Sequence, residues 1–138
     1  KQIVLMSASD VVAEVSPQEV KQVVLNLVVN ALDSMNPGGT LQIDVTEEGG
    51  QATLVFADDG CGMAPEVLRN IFEPFFTRSR TGKGTGLGLS ISHRIITDHH
   101  GQMEAASDGS GTGSRFTVRL PLVCPRDKEE ERCEQLAA

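Results

Sequence analysis

Between Val20 and Met35 the chain is apolar at almost every helical turn, and this stretch limits the possible folds more than any other. At ~100° per residue, Val20, Val23, Val24, Leu27, Val28, Ala31 and Met35 form one face. Leu25, Val29 and Leu32 carry the apolar surface most of the way round. Such a helix is expected to be largely buried, packed on a sheet or on other helices. Both of its ends are marked. Ser16-Pro17-Gln18-Glu19 offers a capping serine, a proline suited to the first helical position and a glutamate three residues after the cap. Asn36-Pro37-Gly38-Gly39 should stop it, so the helix is expected from Pro17 to about Met35.

Strand patterns surround this helix. Gln2–Met6 and Val11–Val15 read as two short strands before it, joined by Ser7-Ala8-Ser9-Asp10. Thr40–Glu47 and Gln51–Asp58 alternate on either side of Glu48-Gly49-Gly50, a hairpin signal. A short helix is expected near Pro65–Asn70 and another from about Leu87 to His100. A last hairpin should pair Gln102–Ser107 with Ser114–Leu120. Hairpins and helices without strict alternation point to a two-layer α/β sandwich, with helices on one face of a mixed sheet.

With 138 residues the chain fits one domain, able to bury a core without disulfide or metal staples. Its net charge of −7 argues against a non-specific nucleic-acid or anionic-membrane surface. No apolar run is long enough to span a bilayer, and no signal peptide opens the chain. It begins at Lys1 without a methionine and is expected to be a piece of something longer. Cys61, Cys124 and Cys133 form no C-x-x-C pair, which disfavours a zinc ribbon and makes a reducing cytosol the default. The charged tail 124–138 is expected to be loose beyond a domain of residues 1–123.

Three features carry chemistry. On the apolar helix, Gln22, Asn26, Asn30 and Asp33 line up in a narrow polar strip. Asparagine is a poor interior helix residue, so the strip is either a solvated edge or a row of groups facing a polar ligand or its metal. The second feature is Asp58-Asp59-Gly60-Cys61-Gly62-Met63 at a strand end. Glycines there admit a close approach to the backbone. An ionised carboxylate only accepts hydrogen bonds, which selects an amino-bearing base edge such as that of adenine. An ordinary Asp-Gly turn is the plain alternative. The third is Gly82-Lys83-Gly84-Thr85-Gly86-Leu87-Gly88-Leu89-Ser90, which enters a helix whose N-terminus suits phosphate. It is neither a Walker loop nor a Rossmann turn. Arg78, Arg80 and Lys83 stand just upstream, as lid cations would. A glycine hinge without a ligand is the alternative.

In order along the chain, these features resemble the catalytic domain of sensor histidine kinases. QVVLNLVVNALDSM looks like the N box, DDGCGM the G1 box, FEPFFT the F box, GTGLGLS the G2 box and GTGSRFTVRLP the terminal strand motif. The likeness runs from about Val15 to Pro121, and the wider superfamily includes DNA gyrase B, the heat-shock-ninety chaperones and MutL. It implies a Bergerat-type ATP-binding fold, with about five mostly antiparallel strands in a mixed sheet covered on one face by three helices. It also implies ATP and Mg²⁺ as cofactors. Asn30 would hold Mg²⁺ and, with Lys83, serve catalysis; Asn26 and Asp33 would line the nucleotide and metal shell. Asp58 would accept the adenine amino group, flanked by Gly60, Gly62 and Met63. Phe72, Thr77, Arg78, Arg80, Lys83, Gly84, Thr85, Gly86, Leu87 and Gly88 would complete the nucleotide site. Ser114 would support the adenine end.

The implied partners are the protein's own helical dimerisation and phosphoacceptor domain and, downstream, a response regulator. Nucleic acid and direct membrane contact by this domain are not expected, and the location is cytoplasmic even if the parent protein is membrane-anchored. His93, His99 and His100 do not form a phosphoacceptor motif, and His99 reads as structural. Ser79 stands where many relatives place a lid lysine, with Arg78 and Arg80 on either side to substitute for it. Cys61 reads as a small buried residue beside the adenine site. The implied function is donation of the ATP γ-phosphate to a histidine on the other domain. The alternatives are a nucleotide-responsive module without catalysis, a hydrolysing ATPase, or an anti-sigma-type serine kinase. Asn26 stands where gyrase-like relatives have a glutamate base, and a neutral amide cannot take a proton from water.

Overall fold

The computed structural model describes residues 1–7, 11–76 and 87–122. Five strands form one sheet: β1 (Gln2–Ser7), β2 (Thr40–Glu48), β3 (Gln51–Asp58), β4 (Gln102–Ala106) and β5 (Ser114–Pro121), in the order β1-β2-β3-β5-β4. β1 runs parallel to β2, and the other pairs are antiparallel. Three helices, α1 (Pro17–Ser34), α2 (Pro65–Asn70) and α3 (Gly88–Asp98), complete the two-layer sandwich. The parallel pair follows from its long connection, since α1 lies between β1 and β2 in sequence. Gly49 and Gly50, both at positive φ, close the two-residue turn between β2 and β3.

Alternation along the strands puts Leu41, Ile43, Phe56, Phe116 and Val118 on one face, all buried. Val23, Leu27, Ala31 and Met35 of α1 and Ile96 of α3 close over them in a single core. The helix-free face carries Gln42, Asp44 and the Glu104–Arg119 ion pair at 3.1 Å. On the outer side of α1, however, apolar does not mean buried. Leu25 and Val29 lie outward, 60% and 47% exposed. Val20, Val24, Leu25 and Val28 of α1 line an apolar groove of about 450 Å³ with Val15. The expectation of a largely buried helix therefore holds for one face only.

Other sequence expectations are corrected. Residues 11–15 form no strand: β5 already has β3 and β4 on its two sides, and Val12 is 82% exposed. The Glu14 N–H donates to the Leu122 carbonyl at 3.1 Å, which helps tie this segment down. Ser16 makes no side-chain cap. Its backbone N–H donates instead to His99 Nε2 at 3.1 Å, and Glu19 Oε2 lies 3.7 Å from that same nitrogen. A capping box would need the Ser16 N–H for Glu19, and the histidine holds it. α3 stops at Asp98. His100 turns left-handed at φ 61°, with Gly101 N–H on the Ile96 carbonyl at 2.9 Å and His100 N–H on Thr97 at 3.0 Å. These are the two bonds of a Schellman ending.

Candidate functional site

The polar strip on α1 separates into two kinds of residue. Gln22 and Asp33 are exposed, whereas Asn26 and Asn30 are half-buried. Asn26 Nδ2 donates to the Gly88 carbonyl at 3.3 Å and to Ser92 Oγ at 3.0 Å, joining α1 to α3. Ser92 is fully buried, so this contact satisfies a hydroxyl that water cannot reach. Asn30 sits one turn later, and its amide has no hydrogen-bond partner among the described residues. Ser34, one further turn on, extends the line as an i, i+4, i+8 series.

Beneath that line ends β3. Asp58 Oδ1 accepts the Gly60 N–H at 2.8 Å and lies 3.4 Å from Ser34 Oγ. Among the described residues, Oδ2 has no partner. The neighbouring Asp59 does a separate job, accepting the Thr40 N–H at 3.0 Å and so fixing the start of β2. Directly opposite Asp58 on β5 is Ser114, and opposed residues bring their Cβ atoms within about 4.5–5.5 Å. Ser114 is 7% exposed, and its hydroxyl is a buried polar atom without a partner among the described residues. Such atoms are rare in folded proteins and call for a cause.

Gly60 and Gly62 are required by the protein itself. A Cβ on Gly60 would meet Ser34 Oγ at 2.4 Å, and Gly62, at φ 67°, packs against the Gly109 carbonyl. The Ser34 side chain and the Gly109 carbonyl occupy the space that side chains at these two positions would need. Met63 is buried, and its N–H donates to Ser107 Oγ at 2.9 Å. Ser107 Oγ in turn donates to the Gly113 carbonyl at 2.8 Å, tying the Gly62–Met63 turn to the β4–β5 loop. A cleft of about 340 Å³ opens at this end of the sheet, with Asp58, Ser107 and Ser114 in its lining. Cys61 is exposed, against expectation. Its backbone N–H, on the Ser34 carbonyl at 3.0 Å, holds the turn while the side chain stays outside.

Phe72 anchors the next segment. Its ring lies 4.8 Å from the His93 ring and 6.5 Å edge-on from Phe116, so it reaches into the core. Phe75 is the opposite case, 74% exposed at φ 64°. Leu87 and Gly88 open α3, with the Leu87 carbonyl accepting the Ile91 N–H at 2.9 Å. Thr77, Arg78, Arg80, Lys83, Gly84, Thr85 and Gly86 lie outside the described residues. Ser34 and Ser107 escaped sequence reasoning. The i+4 step from Asn30 could have revealed the first, and nothing local marks the second.

The sandwich, the asparagine line and the carboxylate at the end of β3 define an ATPase-type catalytic domain. Residues 15–123 match the family described as histidine kinase-, DNA gyrase B-, and HSP90-like ATPase, and the chain belongs to it. Similar curated proteins are sensor kinases. The two-component sensor PprA of Pseudomonas aeruginosa is 42% identical over 116 residues, 79% of this chain and 12% of that protein. The sensor histidine kinase ZraS of Escherichia coli (strain K12) is 36% identical over 122 residues, 87% of this chain and 26% of that protein. The chain thus spans about a quarter or less of these relatives, which are multidomain sensors.

Among solved structures, the nucleotide-free catalytic domain of histidine kinase ThkA superposes with a TM-score of 0.78 at 27% identity. That match covers 88% of this chain and 79% of that one. Full-length ShkA in complex with AMPPNP gives a TM-score of 0.73 at 25% identity, over 87% and 25%. The fold is thus that of histidine-kinase catalytic domains. No helix among the described residues is long and apolar enough to cross a membrane.

Proposed function

We propose that this domain binds Mg·ATP between α1, the Asp58 turn and the start of α3, and donates the γ-phosphate to a histidine on a separate helical phosphoacceptor domain. The observation that carries this reading is the end of β3. One Asp58 oxygen is held by the protein, while the other stands without a partner opposite a buried, unpartnered Ser114 hydroxyl. An adenine amino group is a donor for the open Asp58 oxygen, and its ring edge or a bridging water serves the Ser114 hydroxyl. The AMPPNP complex of ShkA adds support from a structural neighbour.

The donor set suits Mg²⁺, a hard cation that takes oxygen ligands and keeps several waters. Asn30 would hold it through the side-chain oxygen, with exposed Asp33 one turn away, and phosphates and water would supply the rest. Among the described residues no group of three His, Cys, Asp or Glu side chains gathers, which fits a cation held mainly by its nucleotide. When bound, Mg²⁺ neutralises phosphate charge. The first N–H groups of α3 have no intrahelical partner and, with the positive end of the helix dipole, would favour the phosphates. Arg78, Arg80, Lys83 and the Gly84-Thr85-Gly86 backbone take the remaining phosphate charge. Phosphoryl transfer asks mainly for such positioning and neutralisation.

Asn26 disfavours hydrolysis on two counts: it is a neutral amide, and its nitrogen is engaged by α3. A response regulator would accept the phosphate afterwards. The test is to mix this domain with a separately produced phosphoacceptor domain and radiolabelled Mg·ATP. Acid-labile, base-stable label on that partner's histidine is expected. Free phosphate release without such label supports an ATPase, and binding with neither supports a nucleotide-responsive module.

A further inference from the structure

We infer that Ser34 is a specificity-determining positioning residue, which orients the Asp58 carboxylate so that one oxygen alone meets the base. The inference rests on the assignment of Asp58 to the adenine amino group. Ser34 grips the Asp58 turn twice. Its carbonyl accepts the Cys61 N–H at 3.0 Å, and its hydroxyl lies 3.4 Å from Asp58 Oδ1. That hydroxyl also fills the slot beneath the turn, because a Cβ on Gly60 would fall 2.4 Å from Ser34 Oγ. The Gly60 N–H reaches the same Oδ1 at 2.8 Å. Two donors on one oxygen fix the rotation of the carboxylate, and Oδ2 becomes the acceptor turned toward a ligand. Without Ser34, one donor remains and the carboxylate is free to turn about the Gly60 bond. It would then present its oxygens to amino-bearing and amino-free bases with less discrimination.

The size of the effect follows from the hydroxyl proton. It lies between two acceptors, the Ala31 carbonyl at 2.8 Å and Asp58 Oδ1 at 3.4 Å. In such a three-centre arrangement the longer limb is the weaker. The readout is therefore a ratio. Calorimetry measures the affinity of the domain for Mg·ATP and for the triphosphate of purine riboside, which lacks the 6-amino group. Ser34→Ala should narrow the preference for ATP by roughly twofold to threefold, the low end of the scale of one hydrogen bond. Affinity for the amino-free analogue should stay unchanged, which also shows that the variant is folded. Equal losses for both nucleotides would make Ser34 merely structural and overturn the inference, as would an unchanged ratio. If the unmodified domain bound both nucleotides equally, the Asp58 assignment itself would fall, before any variant is made.

Discussion

The two ends of α1 treat their polar groups in opposite ways. At the N-terminal end the contacts of the His99 ring close within the protein. The Ser16 N–H donates to His99 Nε2 at 3.1 Å, and Nδ1–H of the same ring donates to the Ile95 carbonyl at 2.8 Å. At the C-terminal end, the Asn30 amide, Asp58 Oδ2 and the buried Ser114 hydroxyl have no partner among the described residues. Roughly 90% or more of buried polar groups in folded proteins are paired, so the open Ser114 hydroxyl has a cause. Closed contacts hold the fold, and under the proposed function the open groups would meet a ligand.

Variants at the two ends should therefore separate binding from stability. The largest effect is expected from Asp58→Asn, which keeps an acceptor for the Gly60 N–H but turns a donor toward the base. ATP affinity should fall by ~1–3 kcal/mol, the scale of a charge-assisted hydrogen bond, while thermal unfolding hardly shifts. Equal losses in both would erase the distinction between the ends.

His99→Ala should do the reverse. It orphans the Ser16 N–H and the turn at the end of α3, so denaturant unfolding should show a loss of about 1–2 kcal/mol. ATP affinity measured well below the unfolding midpoint should stay as it was. A binding defect there would mean that the two ends are coupled through α1.

The smallest of the three is Asn30→Ala. It should remove the Mg²⁺-linked part of nucleotide binding, about 1 kcal/mol, and leave metal-free ATP binding intact. Titration with and without the cation checks this. An unchanged Mg²⁺ dependence would return Asn30 to the solvated edge of the helix.

What the sequence made legible was local. The ends of α1, the diglycine hairpin and the alternation of β3 and β5 all arise from neighbours in the chain, and the two-layer sandwich followed from them. Asn30 and Asp58 stood out as candidates because an amide inside an apolar helix and a carboxylate at a strand end each violate a local pattern. What failed depended on distant partners. Ser16 had every mark of a capping residue, yet its N–H goes to a histidine 83 residues away. Residues 11–15 look like a strand, but the sheet has no free edge beside β5. Cys61 is small enough to bury, yet its turn is held by backbone contacts that leave the side chain outside. Ser34 was invisible because a serine at a helix end means nothing until Asp58 comes beneath it.

The central claim is that the open end of α1 reads an adenine nucleotide. Calorimetric titration of the unmodified domain with Mg·ATP and then with Mg·GTP tests it most directly. Under the proposed function, Asp58 Oδ2 would accept from the amino group of adenine and would repel the carbonyl oxygen that guanine carries at the same position. Clear ATP binding with GTP weaker by at least ~10-fold, the scale of one charge-assisted hydrogen bond, is the predicted result. Equal affinity for the two nucleotides would contradict it.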